Sequence, residues 1–160
     1  MRTKIVLTFC FILFLSIPLC IQAQYKNYTF EEAGLTLSYP SDWKVQREHV
    51  LLLLMPQPED LTLNIELTEE VDLEHIVQES FERLKNIYPG DSVVITEFEI
   101  NRIPAKQIDC ITKDELIIKH LYILTPKDKI LYANLEVPLT IFKKYKEPLK
   151  KIIQSFTKID

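Results

Sequence analysis

The sequence has 160 residues, 19 Lys+Arg against 23 Asp+Glu and 47% hydrophobic residues, which fits one domain of ordinary size. Its two glycines, Gly34 and Gly90, are too few for a P-loop or a dinucleotide-binding GxGxxG turn. Three histidines (His49, His75, His120) and three cysteines show no metal-ligand spacing, and no GxSxG, HExxH, CxxC or zinc-ribbon pattern is present.

The chain opens with Arg2 and Lys4, then a 15-residue mostly apolar run from Ile5 to Leu19, then Cys20-Ile21-Gln22-Ala23-Gln24. A positive start, a short apolar run and a small residue at a cleavage point describe a secretory signal peptide. As a helix the run would reach about 22 Å, short of the roughly 30 Å of a bilayer core. Residues 1–23 are therefore read as a signal peptide cleaved after Ala23, and residues 24–160 as a single domain. The rival route, a lipoprotein modified at Cys20, is disfavoured because bulky Leu19 and Pro18 stand where such signals place small residues. Export to the periplasm or the exterior follows. It would leave 137 residues, with 17 basic and 23 acidic side chains and Cys110 as the one remaining thiol. One thiol forms no internal disulfide, so stability must come from a packed core. A net charge of −6 makes nucleic acid an unsuitable partner.

Beyond the leader, Leu35–Tyr39 alternates with period two and stops at Pro40-Ser41-Asp42. Val50–Met55 is apolar throughout, which predicts a strand covered on both sides. Leu61, Leu63, Ile65 and Leu67 alternate with polar residues, the mark of a strand buried on one face. Asp72 is a candidate N-cap, with Val71 and Ile76 able to form a hydrophobic staple. From there Leu73, Ile76, Val77, Phe81, Leu84, Ile87 and Tyr88 fall on one helical stripe, ended by Pro89-Gly90, and His75 lies on its polar face.

Further strands are expected at Val93–Ile100, Lys106–Thr112, Glu115–Leu124 and Ile130–Val137. Their turns are short, which favours antiparallel neighbours. Cys110 alternates with Gln107 and Asp109 and reads as a small buried hydrophobe. Ile117–Leu124 and Ile130–Val137 are apolar on both faces, as expected of a sheet between helical layers.

A last helix places Ile141, Phe142, Tyr145, Leu149, Ile152, Ile153 and Phe156 on one stripe, and Lys143, Lys144, Lys146, Lys150 and Lys151 on the other side. Pro148 is expected to begin a new turn or kink it. Such a basic amphipathic helix over 141–156 can make weak contact with an anionic membrane surface, although core packing beneath a wet lysine face is the preferred reading. Charge is uneven along the chain. Residues 24–100 carry 5 basic and 16 acidic side chains, and residues 101–160 carry 12 and 7. That imbalance produces either opposed faces or neutralisation across the sheet.

Catalytic signals are sparse. Glu97 and Glu99 would project from one strand face about 7 Å apart, within the span of paired carboxylates in glycoside hydrolysis, but no second feature marks a cleft. Ser41, Ser80 and Ser155 lack a His or Asp partner in any recognisable pattern. No catalytic residue, cofactor site or metal site is assigned, and the protein is read as not an enzyme.

The segment Tyr39-Pro40-Ser41-Asp42-Trp43-Lys44-Val45, an aromatic strand running into Pro-x-x-Trp, resembles the opening of the PsbP-like family, which includes bacterial DcrB-related exported proteins. Pro40 ends the strand, Asp42 turns the chain and Trp43 brings a large apolar surface to the core. The order of elements continues as in that family through Ile103-Pro104-Ala105 and a last helix ending in Ser155-Phe156. Arg102-Ile103 stands where relatives often have Asn-Gly before Pro-Ala. The resemblance implies an α+β fold, a three-layer α/β/α sandwich around a mainly antiparallel sheet, with no common catalytic residues. The function expected is binding of another macromolecule, an envelope protein partner. The alternative is a small-ligand carrier for a lipid or metabolite, with a pocket lined by Tyr122 or Tyr132. A hydrolase using Glu97 or Glu99 ranks last.

Overall fold

The computed structural model describes residues 24–159; the expected signal peptide, its cleavage after Ala23 and the alternative at Cys20 lie outside the described residues. The chain begins with a hairpin of β1 (Tyr25–Phe30) and β2 (Leu35–Pro40). Then come β3 (Lys44–Glu48), β4 (Leu51–Met55) and β5 (Leu63–Leu67), followed by helix α1 (Leu73–Ile87). Four nine-residue strands succeed it: β6 (Ser92–Ile100), β7 (Ile103–Ile111), β8 (Leu116–Leu124) and β9 (Ile130–Pro138). Helix α2 (Leu139–Gln154) and the short β10 (Thr157–Lys158) close the chain. β3 to β9 form a seven-stranded sheet in the order β3-β4-β5-β9-β8-β7-β6, and β10 returns to β2 to complete a second sheet, β1-β2-β10. Every pairing is antiparallel, as the short turns require.

The large sheet divides two cores. Alternation along β8 sends Ile118 and Tyr122 to one side, where they meet Val77 and Leu84 of α1 together with Ile108, Cys110 and Ile130. It sends Leu121 and Ile123 to the other side, against a cluster that holds Leu35 and Leu37 of β2, Trp43, and Tyr145, Leu149 and Ile152 of α2. The three layers and the antiparallel sheet thus match the expected α+β sandwich. Each fully buried aliphatic side chain contributes about 1.5–3 kcal/mol, so both cores matter to stability.

The α1 layer is incomplete. α1 packs on β6, β7 and β8, and in β4 Leu52, Leu54 and Met55 are buried while Leu51 and Leu53 stay half-buried. The run at Val50–Met55 is therefore not covered on both sides as expected: Val50 is exposed, Leu51 and Leu53 are half-buried, and α1 packs on the far end of the sheet. Asp72 caps α1 as expected, its carboxylate accepting from the His75 amide at 3.0 Å, but Val71 is 67% exposed and leaves the staple with Ile76 open. Helix α2 begins two residues before the expected stripe and runs unbroken through Pro148 instead of restarting there. No helix among the described residues is long and apolar enough to cross a membrane.

The β6–β7 hairpin turns on two residues, Asn101 and Arg102, since Ile100 pairs with Ile103. Both have positive φ (49° and 65°), as the tight hairpin turn demands. The turn therefore sits one position earlier than the Arg102-Ile103 pair singled out from the sequence. Asn suits the first position, and its side chain does more than turn the chain. Its Nδ2 donates to the Gln154 carbonyl (3.1 Å) and the Phe156 carbonyl (2.8 Å), tying the hairpin tip to the end of α2.

Candidate binding cleft

α2 lies over β2, β8 and β9, so the outer strands β6 and β7 extend past its edge. The wedge between helix and sheet is a cleft of about 530 Å³. Phe98, Ile100 and Leu135 form its sheet wall, and Phe142, Leu149 and Ile153 form its helix wall. Helical spacing explains the second set: residues 142, 146, 149, 150 and 153 recur every three or four positions and share one side of α2. The same spacing puts Lys146 and Lys150 on the rim, one turn apart, and both are exposed.

Polar groups in the cleft divide into engaged and unengaged. Gln107 donates from Nε2 to both Asp109 carboxylate oxygens (2.9 and 2.8 Å), and the Lys119 ammonium also binds Asp109. Lys119 further lies 5.3 Å from the centroid of the Phe142 ring, a cation–π contact that fixes the helix wall to the sheet. Asn101 is committed to the two backbone carbonyls already described. Lys146 and Lys150, by contrast, make no ion pair among the described residues. Lys144, outside the cleft, pairs with Asp60 at 3.0 Å, and the Tyr145 hydroxyl and this ammonium hold the Asp60 carboxyl below the usual carboxylate range. α2 carries five lysines against Glu147 alone, whereas α1 carries Glu74, Glu79 and Glu82 against Arg83 and Lys85. Both outcomes expected from the sequence occur: Lys106, Lys113 and Lys144 neutralise Glu74, Glu97, Asp91 and Asp60 of the acidic part, and the rest of α2 keeps an unneutralised lysine face.

The residues singled out from the sequence fall elsewhere. Tyr122 and Tyr132 stack at 4.9 Å on the α1 side of the sheet, and the Tyr122 hydroxyl donates to Ser80 Oγ at 2.6 Å. They fill the core beneath α1 and line no part of the cleft. His120 lies edge-on to Tyr132, and burial with the nearby Arg83 charge lowers its pKa to about 4. Burial also pushes the Cys110 thiol up, away from the thiolate form that makes a nucleophile.

Glu97 and Glu99 do not act as a pair. Glu97 binds the Lys106 ammonium at 2.8 Å, and Lys106 also binds Glu74 of α1, so this trio rivets helix to sheet. Those two carboxylates raise the Lys106 pKa, Glu74 first. Glu99 stands on the outer lip of the cleft. Ser80 is taken by Tyr122, and Ser155 Oγ accepts from the Ser38 amide at 2.7 Å. Among the described residues no group of three His, Cys, Asp or Glu side chains is placed to hold a metal ion.

Sequence reasoning found both cleft walls as ordinary core stripes and missed the space between them. The one available signal was the Lys146/Lys150 pair, set beside the apolar stripe on the side where Phe142 and Ile153 also emerge.

No family model and no curated protein matches the sequence. Solved structures do resemble the fold. Cyanobacterial PsbP (CyanoP) from Synechocystis sp. PCC 6803 superposes with a TM-score of 0.62 at 11% identity, covering 85% of this chain and 93% of that one. LpqN, involved in cell envelope biogenesis of Mycobacterium tuberculosis, superposes with a TM-score of 0.57 at 15% identity, covering 84% and 90%. The architecture is that of the PsbP-like fold.

Proposed function

We propose that this protein is an exported, non-enzymatic binding protein of the cell envelope, and that it engages its partner through the α2 face. The observation that carries the reading is the cleft, an open apolar slot whose two rim lysines make no ion pair among the described residues and in which no acid, base and nucleophile of those residues converge. The leader-like residues 1–23 support export. The likeness of fold to a protein involved in envelope biogenesis supports the location. The lysine row of α2 supports contact with an acidic envelope component, such as the macromolecular partner expected from the sequence or an anionic membrane surface. A small-ligand carrier is the second reading. The cleft volume favours it, since ligand pockets of this kind run to about 300–1,000 Å³.

A photo-crosslinking residue placed at Phe142, and for comparison at the exposed Gln78 on α1, tests the reading in intact cells. Adducts are expected from position 142 and not from position 78, and their mass distinguishes a protein partner from a small one. Equal yields from both positions, or none from either, would refute the assignment of the α2 face.

A further inference from the structure

We propose that the cleft beside α2 binds a single-chain amphiphile with an acidic head, its hydrocarbon tail lying between α2 and β6–β9 and its head held by Lys146 and Lys150. This rests on the reading of the cleft as the binding site and names its occupant.

Three features of the cleft select that chemistry. The walls that face each other are apolar, Phe98, Ile100 and Leu135 against Phe142, Leu149 and Ile153, so an occupant gains chiefly by burying hydrocarbon. The polar side chains deep in the cleft are already engaged, Gln107 by Asp109 and Asn101 by the Gln154 and Phe156 carbonyls. A peptide could pair only along the free edge of β6, and between the apolar walls its remaining amides and carbonyls would lack partners, at about 1–3 kcal/mol each. An alkyl chain carries no such groups. Lastly, the uncompensated charge is confined to one wall. Lys119 is satisfied by Asp109, while Lys146 and Lys150 have no acidic partner among the described residues. The two lysines repel the head of a cationic amphiphile, which is excluded.

The test is titration calorimetry of the purified protein with straight-chain carboxylates of increasing length, below the concentration at which they form micelles. The matched alcohols and alkyl-trimethylammonium ions serve as controls. Each added methylene is expected to tighten binding about three- to fourfold until the cleft is full. Carboxylates should bind about tenfold more tightly than alcohols, an advantage that fades at high salt. The surface variant Lys146→Glu/Lys150→Glu, which touches no core contact, should abolish that advantage while leaving the dependence on chain length. Affinity independent of chain length, equal binding of acids and cations, or an acid preference that survives the double charge reversal would each overturn the proposal. If the carboxylates fail to bind while crosslinking at position 142 captures a protein, the amphiphile is wrong and the binding face stands. If neither occurs, both readings fall.

Discussion

The two faces of the central sheet are finished differently. Under α1 the central polar groups are engaged: the Tyr122 hydroxyl donates to Ser80, and Lys106 is held by Glu74 and Glu97. Under α2 a closed core around Trp43, Tyr145 and Ile152 gives way, on the side of β6 and β7, to an open slot edged with lysines that nothing among the described residues neutralises. Both helices are amphipathic and both stripes are apolar. The difference lies at the cleft, where Lys146 and Lys150 meet solvent beside an apolar slot, whereas Lys106 under α1 and Lys119 and Lys144 under α2 have acidic partners.

Leucine truncation should expose that contrast most strongly. Leu84 of α1 and Leu149 of α2 are almost equally buried, at 4% and 3% exposed. Leu84→Ala is expected to cost toward the top of the range of about 2–5 kcal/mol for a sealed core. Leu149→Ala is expected nearer the bottom, because its neighbours already border a space that water can enter. Urea denaturation of the two variants measures both, and equal losses would mean the slot is closed in solution.

Acid should act chiefly through the α1 face. The folded pKa of His120 is about 4, below the roughly 6.5 of the unfolded chain, so between these values the unfolded state binds the extra proton. His120 therefore contributes nothing adverse above pH 6.5 and removes up to about 3 kcal/mol as the pH falls to 4. His120→Gln should flatten that part of the stability-versus-pH curve, read as the difference from the parent protein. A parallel curve would show that folding does not depress the His120 pKa.

The helix starts give a smaller effect. Asp72→Ala removes the side-chain cap of α1 and should cost about 1 kcal/mol, whereas α2 starts at Pro138 without a side-chain cap to lose. Helicity measured on heating would report a lower midpoint for the variant. Least of all, Lys106→Met should change stability by under about 1 kcal/mol, since the freed Glu74 and Glu97 are mostly exposed and regain water. A large loss would show that the ion trio, not the apolar stripe, holds α1 down.

The fold was legible where period and punctuation agree. Asp72 and Pro89-Gly90 bracket α1 in the sequence, and the double-faced apolar runs at Ile117–Leu124 and Ile130–Val137 announced a sheet covered on two sides. β1 and β3 were not foreseen, because Tyr25–Phe30 and Lys44–Glu48 lie at sheet edges where few positions need be apolar. Pro148 does not start a new helix, because tertiary packing of Tyr145, Leu149 and Ile152 outweighs the lost amide bond and the clash of the ring. The cleft was beyond reach for another reason. It is set by how far α2 sits from β6, a distance that depends on residues nearly fifty positions apart, and Tyr122 and Tyr132 were placed by alternation on the opposite side of the sheet.

Asn101 has a mechanical consequence. By gripping two carbonyls at the end of α2, one amide group pins that extremity of the slot to the hairpin, as a rivet closes one end of a pair of shears. The other extremity is tied as well: α2 follows β9 directly, the Leu139 amide donates to the Glu115 carbonyl at 2.8 Å and Lys119 rests on the Phe142 ring, so a bulkier guest must be met by movement of the lining side chains and not by the helix swinging away.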